Sequence, residues 1–192
     1  MKDIIIPGRI LGTFWTTASW SDSEKTIYIT NKEKSQLLAA WNYLASLSIE
    51  YTIYQGPTDE KRPGYDYEYY RMKIYNKEFI KLLRQKYNWR GQREEKRYYP
   101  TVNNKRQEIE FLRYYIDDQG TFDYHTIKKR KKKRYRIYGH RNYIEYLNQR
   151  ISKMLGINEN KPQPHGQSGK TLILYYQSQK DVDVILDFIS QG

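Results

Sequence analysis

The apolar positions of this chain switch between two periods, and the order of the switches recurs. Ile10, Leu11, Phe14 and Trp15 in RILGTFWTT fall at helical spacing. SWSDSEKTIYIT then reads as a strand, a polar turn and a strand. In NKEKSQLLAAWNYLASLSI, Asn31 suits a helix N-cap, and Leu37, Leu38, Trp41, Leu44 and Ala45 share one face. IEYTIY and YDYEYYRMKIYN alternate as strands do, separated by the turn-rich QGPTDEKRPG, and Asn76 caps the short helix KEFIKLLRQKY.

The second half runs through the same order. RQEIEFLRYYIDDQG predicts a helix, TFDYHTIKK and RYRIYG predict strands around a lysine-rich turn, and RNYIEYLNQRISKMLGI predicts a long helix. TLILYYQS follows the Pro/Gly-rich NKPQPHGQSG as a strand, and KDVDVILDFIS closes as an amphipathic helix; the third strand of this half is weakly marked. An internal duplication with a period of about 90 residues fits best. It divides the chain into a first repeat at 1–90, a polar, basic linker at 91–105 and a second repeat at 106–192.

The helix that opens the second half ends in FLRYYIDDQGTF, and its counterpart in the first half, more loosely, in ILGTFWTTAS. On these motifs, and on the later succession of long helix, LGI, strand pair and ILDF-ending helix, the chain resembles the LAGLIDADG homing endonucleases in their single-chain, two-repeat form. FLRYYIDDQGTF is similar to the family variant FLRGYFDGDGSF. The resemblance covers nearly the whole chain. It implies an α+β fold of two tandem αββαββα repeats forming a pseudo-two-fold saddle, and a monomer on a pseudo-palindromic site. The strands would lie along the DNA major groove, which admits a two-stranded ribbon.

A nuclease of this kind holds divalent metals with carboxylates at the ends of the paired motif helices, where they activate water and stabilise the leaving oxygen. In the family, the essential acid precedes the last motif glycine. Aligning on Gly120 puts Gln119 there; aligning Gly12 and Ser19 puts Thr17 there, with Ala18 in place of the glycine. Neither side chain is anionic, so no catalytic residue, no metal ligand and no cofactor is expected. Asp117 matches a structural acid of the family. Asp118, where the family prefers a small residue, is the one candidate for a relocated ligand. Asp22 and Glu24 fall in a strand turn and read as solvated. Copy one keeps Gly12 and Thr16 where copy two has Tyr114 and Asp118, which implies a more open or asymmetric helix interface.

Composition then turns attention to binding. Of 192 residues, 34 are Lys or Arg and 22 Asp or Glu, a net charge of +12 that favours a polyanion, nucleic acid before membrane. Residues 1–104 hold 17 basic and 12 acidic side chains and residues 105–192 hold 17 and 10, so the basic character is not confined to a tail. The 21 tyrosines give a globular chain with a wet aromatic surface. Without cysteine there is neither disulfide nor thiolate zinc site, and a reducing compartment fits. No apolar run approaches the ~18 residues of a membrane span, and the start is too short in apolar residues for a secretory leader.

Strand alternation assigns faces. In YDYEYYRMKIYN, Tyr70, Met72 and Ile74 suit the core, and Tyr67, Tyr69, Arg71 and Lys73 suit a nucleic acid. In RYRIYG, Tyr135 and Ile137 suit the core, and Arg134, Arg136 and Tyr138 the outer face. The run KKRKKKR (Lys128, Lys129, Arg130, Lys131, Lys132, Lys133, Arg134) reads as a hairpin turn set against phosphates. His125, His140 and His165 fall in different elements without metal-ligand spacing, and only His125 suits a base contact. HGQSGK lacks the spacing of a phosphate loop and reads as a turn.

These readings lead to a sequence-specific double-stranded DNA-binding protein that has lost cleavage, such as a transcriptional regulator, acting in the cytoplasm, nucleoid or an organelle. The alternatives are an active endonuclease using Mg²⁺ at an atypical site, and an RNA-binding intron maturase.

Overall fold

The computed structural model describes residues 4–31, 33–57, 68–91, 98–166 and 171–191. Helix α1 (Gly8–Thr16) leads into the hairpin β1 (Ala18–Ser21) and β2 (Thr26–Asn31), then α2 (Lys34–Ser46), β3 (Tyr51–Pro57), β4 (Glu68–Ile74) and α3 (Lys77–Gln85). The second series is α4 (Lys105–Gln119), β5 (Gly120–Ile127), β6 (Arg130–His140), α5 (Arg141–Leu155), β7 (Gln163–His165), β8 (Thr171–Tyr176) and α6 (Gln179–Ser190). The antiparallel sheets have strand orders β1-β2-β4-β3 and β5-β6-β8-β7, the same order twice. This is the expected α+β fold of two αββαββα repeats. Among the described residues, no helix is long and apolar enough to cross a membrane.

Each sheet is buried on one side, as period-two alternation requires. Ala18, Ile27, Ile29, Met72 and Ile74 form the inner side of the first sheet, and Tyr135, Ile137, Leu172, Leu174 and Tyr176 that of the second. Asn76 caps its helix where the sequence places the cap, and Ser178 caps the last helix in the same way. The Asn76 side chain accepts from the Phe79 amide and the Ser178 side chain from Asp181, each closing the first turn of its helix. Asn31 differs: it ends β2, its Oδ1 accepts from the Glu33 amide, and α2 begins at Lys34 with Glu33 as N-cap. Of the predicted stripe, helix α2 buries Leu37 and Leu44 and half-buries Trp41, adds Ala40, and leaves Leu38 and Ala45 exposed. The weakly marked strand is QPH at 163–165, a three-residue edge strand in a stretch whose prolines argue for a loop; an edge tolerates proline because one row of its amides needs no partner.

The repeats meet through α1 and α4. A Cβ built on Gly8 would lie 2.0 Å from the Gln107 carbonyl oxygen, and one on Gly12 would lie 2.6 Å from the Tyr114 ring. Only glycine lets the helix backbones approach this far. The interface is therefore asymmetric, as the motif comparison implies, but it is close rather than open. Glu110 of α4 caps α1 by accepting from the Gly8 amide at 3.1 Å, and the Gln107 amide donates to the Ile6 carbonyl at 2.5 Å. Trp15 of α1 meets Phe111 of α4 edge to face at 6.0 Å.

Residues 98–104 are tied to the helices by hydrogen bonds, although Tyr98, Thr101, Asn103 and Asn104 are exposed. The Trp15 indole donates to the Tyr98 carbonyl at 2.8 Å. Tyr99 donates to Glu108, whose buried carboxylate takes a bidentate pair from Arg150 at 2.6 and 2.5 Å. Burial, with Glu108 alongside, pushes the Tyr99 phenol far above its ordinary value. The pairing keeps the Glu108 charge compensated inside the molecule.

Replacing Gly8 by alanine is expected to destabilise the protein by ~1–3 kcal/mol through overpacking against backbone, although helix propensity alone favours alanine by about 1 kcal/mol. Gly12→Ala should cost less, since the Tyr114 ring can turn aside. Urea denaturation of the two variants checks this, and a Gly8→Ala protein as stable as wild type would contradict the close approach.

Candidate nucleic-acid interface

The outer face of the first sheet is built from alternate residues of its three longer strands. Tyr28 and Lys73 are cross-strand partners, as are Thr30 and Arg71, Thr52 and Lys73, and Tyr54 and Arg71. The Arg71 guanidinium lies over the rings of Tyr28 at 5.4 Å and Tyr69 at 4.9 Å. The Lys73 ammonium lies over Tyr28 at 5.4 Å and Tyr75 at 5.1 Å, and it pairs with Glu24. Glu24 is exposed, as expected of a turn residue, and paired with Lys73, and the exposed Asp22 accepts from the Trp20 indole at 2.8 Å. Tyr69, Arg71 and Lys73 therefore lie together. Tyr67 lies outside the described residues.

On the second sheet, register brings Thr121, Asp123 and His125 of β5 beside Arg136, Arg134 and Lys132 of β6. Tyr175, Ile173 and Thr171 of β8 follow on the same face, opposite Arg136, Tyr138 and His140, with Gln163 and His165 of β7 beyond. Arg134 lies over the Tyr175 ring at 5.7 Å and Arg136 over Tyr138 at 5.9 Å, while His165 meets Tyr138 at 5.2 Å. The three histidines, spread along the sequence, share this outer face. Antiparallel register, which a single strand's pattern does not contain, sets His140 and His165 on either side of Thr171, while His125 stands across from Lys132 toward the other end of β6.

The basic run does not form one broad turn. Only Lys128 and Lys129 turn, with φ of 47° and 66°, and β6 begins at Arg130. Positive φ at both central residues of a two-residue loop is the type I′ arrangement that matches strand twist. Because Arg130 to Arg134 are strand, the pleat divides them between faces. Arg130, Lys132 and Arg134 point outward with Arg136. Lys131 and Lys133 share the face of Tyr135 and Ile137, and Lys133 pairs with Asp183 of α6 at 2.7 Å. That pairing raises the Lys133 pKa and lowers that of Asp183. Lys131 and Lys133 thus stand apart from the other cations with which the sequence grouped them.

Asp123 was not legible as a site residue. Its carboxylate accepts from Arg134 Nε and Nη2, each at 2.8 Å, and forms an ion pair with Arg136, whose Nη2 lies 2.8 Å away. The Arg134 hydrogen bonds hold the Asp123 carboxyl below the usual carboxylate range and raise Arg134 in return. Several buried polar atoms on the outer faces have no hydrogen-bond partner among the described residues: Arg71 Nε, Arg136 Nε, both ring nitrogens of His125, and His140 Nδ1.

The helix ends tell another story. Thr17 terminates α1 with its hydroxyl donating back to the Thr13 carbonyl at 2.8 Å, and the Gln119 amide donates to Asp118 at 2.7 Å. Asp117 and Asp118 line a cleft of about 790 Å³ between α4, α1 and the end of α6, in company with Arg9, Arg113 and Tyr114. Among the described residues, no group of three or more His, Asp or Glu is placed to hold a metal ion. A donor set of a back-bonded threonine, an amide and an acid already engaged by that amide does not fit a divalent ion, which requires several oxygen ligands including carboxylate. Gly120 has a different reason to be glycine. A Cβ there would lie 2.2 Å from both the Ile116 carbonyl and the Tyr135 hydroxyl, and that hydroxyl donates to the Ile116 carbonyl at 2.9 Å.

No family model and no curated protein matches this chain. Solved structures do. The N-terminal LAGLIDADG domain of DUF199/WhiA aligns with a TM-score of 0.55 and 16% identity over 95% of this chain and 79% of that one. Against full-length DUF199/WhiA from Thermatoga maritima the TM-score is 0.55 at 15% identity, over 95% of this chain and 54% of that one, so the chain spans about half its length. LAGLIDADG homing endonuclease I-GzeII in complex with its DNA target gives 0.61 and 14%, over 98% and 84%. I-DmoI in complex with DNA and Mn gives 0.56 and 14%, over 96% of each chain. The fold is LAGLIDADG-like.

Lysine tolerates positive φ poorly, at a cost of roughly 1–2 kcal/mol per residue. Changing Lys128 to Asn together with Lys129 to Gly should therefore raise the thermal unfolding midpoint, since Asn-Gly favours the type I′ turn. A lowered midpoint would mean that the hairpin turns in some other way.

Proposed function

We propose that this chain binds double-stranded DNA sequence-specifically through the outer faces of its sheets and does not cleave it, in keeping with a transcriptional regulator. We read residues 1–90 and 106–192 as the repeats, each recognising half of a pseudo-palindromic site as one monomer, with 91–105 as linker. The observation that carries the reading is the contrast between faces and helix ends. The faces gather Tyr69, Arg71, Lys73, Arg130, Lys132, Arg134, Arg136 and Tyr138, with buried donor atoms left unpartnered. The helix ends carry Thr17 and Gln119. The fold's occurrence in endonucleases bound to DNA targets supports a duplex partner. Phosphate neutralisation would fall to Lys and Arg, and the arginines suit guanine edges. Lys128 and Lys129 at the turn extend that charge, and His125 suits a base contact.

An RNA partner is the second reading, favoured by the exposed Tyr54 beside Tyr69, since unpaired bases stack on aromatic rings. Competition of a selected duplex by folded RNA separates the two: RNA that displaces the duplex at equal concentration would overturn the DNA reading.

Binding should be steeply salt-dependent. Lys132→Ala should lower the slope of log affinity against log salt by ~0.9, the loss of one phosphate contact, and Lys133→Ala by much less because Asp183 already engages it. Equal effects of the two changes would mean that the pleat does not set the binding face.

Incubation of the purified protein and its selected duplex with Mg²⁺ or Mn²⁺ should leave the DNA intact, and affinity should be unchanged by metal. Cleavage abolished by Asp118→Asn would instead identify Asp118 as a relocated ligand and establish the endonuclease alternative.

A further inference from the structure

We infer that Asp123 is a positioning residue that sets sequence specificity, holding Arg134 and Arg136 as a paired reading head and withholding both from indiscriminate contact with phosphate. The inference rests on the DNA-binding reading above. Arg134 and Arg136 are two residues apart on β6, so they point to one side and their charges repel. Asp123 stands directly across from Arg134 and ties both guanidinium groups to one carboxylate, at 2.8 Å in each case. The three side chains are about a quarter exposed, at 23%, 24% and 28%. The pairs are thus partly shielded from water and stiffer than fully exposed ones. Tyr175 and Tyr138 back the two guanidinium groups from the neighbouring positions.

An acid is unfavourable on a surface that meets a polyanion, so its presence among these cations needs a compensating effect. A guanidinium fixed by a carboxylate on one edge keeps its remaining N–H groups at a set angle, which favours bidentate reading of a planar acceptor such as the guanine O6/N7 edge. The same carboxylate offsets charge that would otherwise attract any phosphate. Both effects widen the ratio of specific to non-specific affinity, the quantity that governs site occupancy among many competing sites.

The test uses the full chain, wild type and Asp123→Asn, with a duplex selected from a random pool and with the unselected pool itself, at several salt concentrations. The amide keeps the shape and removes the charge. The variant should bind the unselected pool ~10-fold or more tightly, with a salt slope steeper by up to ~1.8 for two freed cations. Its preference for the selected duplex should shrink by a similar factor. A merely structural role would weaken both duplexes equally and leave the slope alone, and that result overturns the inference. Unchanged affinities for both duplexes overturn it too. A wild-type chain that binds no duplex overturns the functional reading and this inference together; a wild-type chain that binds, with a variant indistinguishable from it, overturns only the inference. Asp123→Glu should restore part of the preference, because the charge returns on a longer stem.

Discussion

The close approach of α1 to α4 is the constraint on which the rest of the arrangement depends. Each helix feeds directly into the first strand of its own sheet, α1 through Thr17 into β1 and α4 through Gly120 into β5. The distance between helices therefore sets where both sheets begin. Gly8 and Gly12 supply the room on one helix only, and α4 answers with Gln107, Phe111 and Tyr114. An interface of this kind needs no two-fold symmetry at side-chain level. It needs one smooth surface and one knobbed surface, with the Glu110 cap fixing their register. Near-symmetric sheets are thus carried on an asymmetric hinge, and each half is free to diverge on its outer face.

That divergence is visible in how the two faces hold their charges. The first sheet embeds Arg71 and Lys73 among Tyr28, Tyr69 and Tyr75. The second sets a line of cations along β6, opposed on the outer face by the Asp123 carboxylate. Tyrosine rings attract a cation without neutralising it, whereas Asp123 neutralises while it orients. The first face thereby leaves Arg71 available to phosphate while Glu24 holds Lys73, and the second restrains two of its arginines.

Much of the fold could be read from sequence because it rests on local period. The helix stripe Phe79, Leu82 and Leu83 and the strand alternation Met72, Ile74 against Arg71, Lys73 are properties of short windows. What was hidden depends on pairing between windows. The strand at 163–165 exists because β8 offers it a partner, and nothing in QPH favours extension. Charge alone makes the basic run read as one turn, but with β6 starting at Arg130 alternation splits it. The Asp123 pairing depends on β5 lying against β6, and the nearness of His140 and His165 on β8 lying between β6 and β7. Legibility ended where antiparallel register began.

The motif IDDQGTF brings these threads together. The glycine after this helix end answers a packing requirement. Here Gly120 is kept because the Tyr135 hydroxyl reaches across β5 to the Ile116 carbonyl, one of the last in α4, and a methyl group would stand in its way. Tyr135 is a core residue of β6, directly ahead of Arg136 and directly after Arg134. The bond that finishes the motif helix thus also pins the strand segment on which the two arginines sit, on the opposite side of the pleat. The motif's geometry and the outer face's geometry are coupled through one tyrosine, which gives position 120 a structural reason to be glycine that is independent of any chemistry at the helix end.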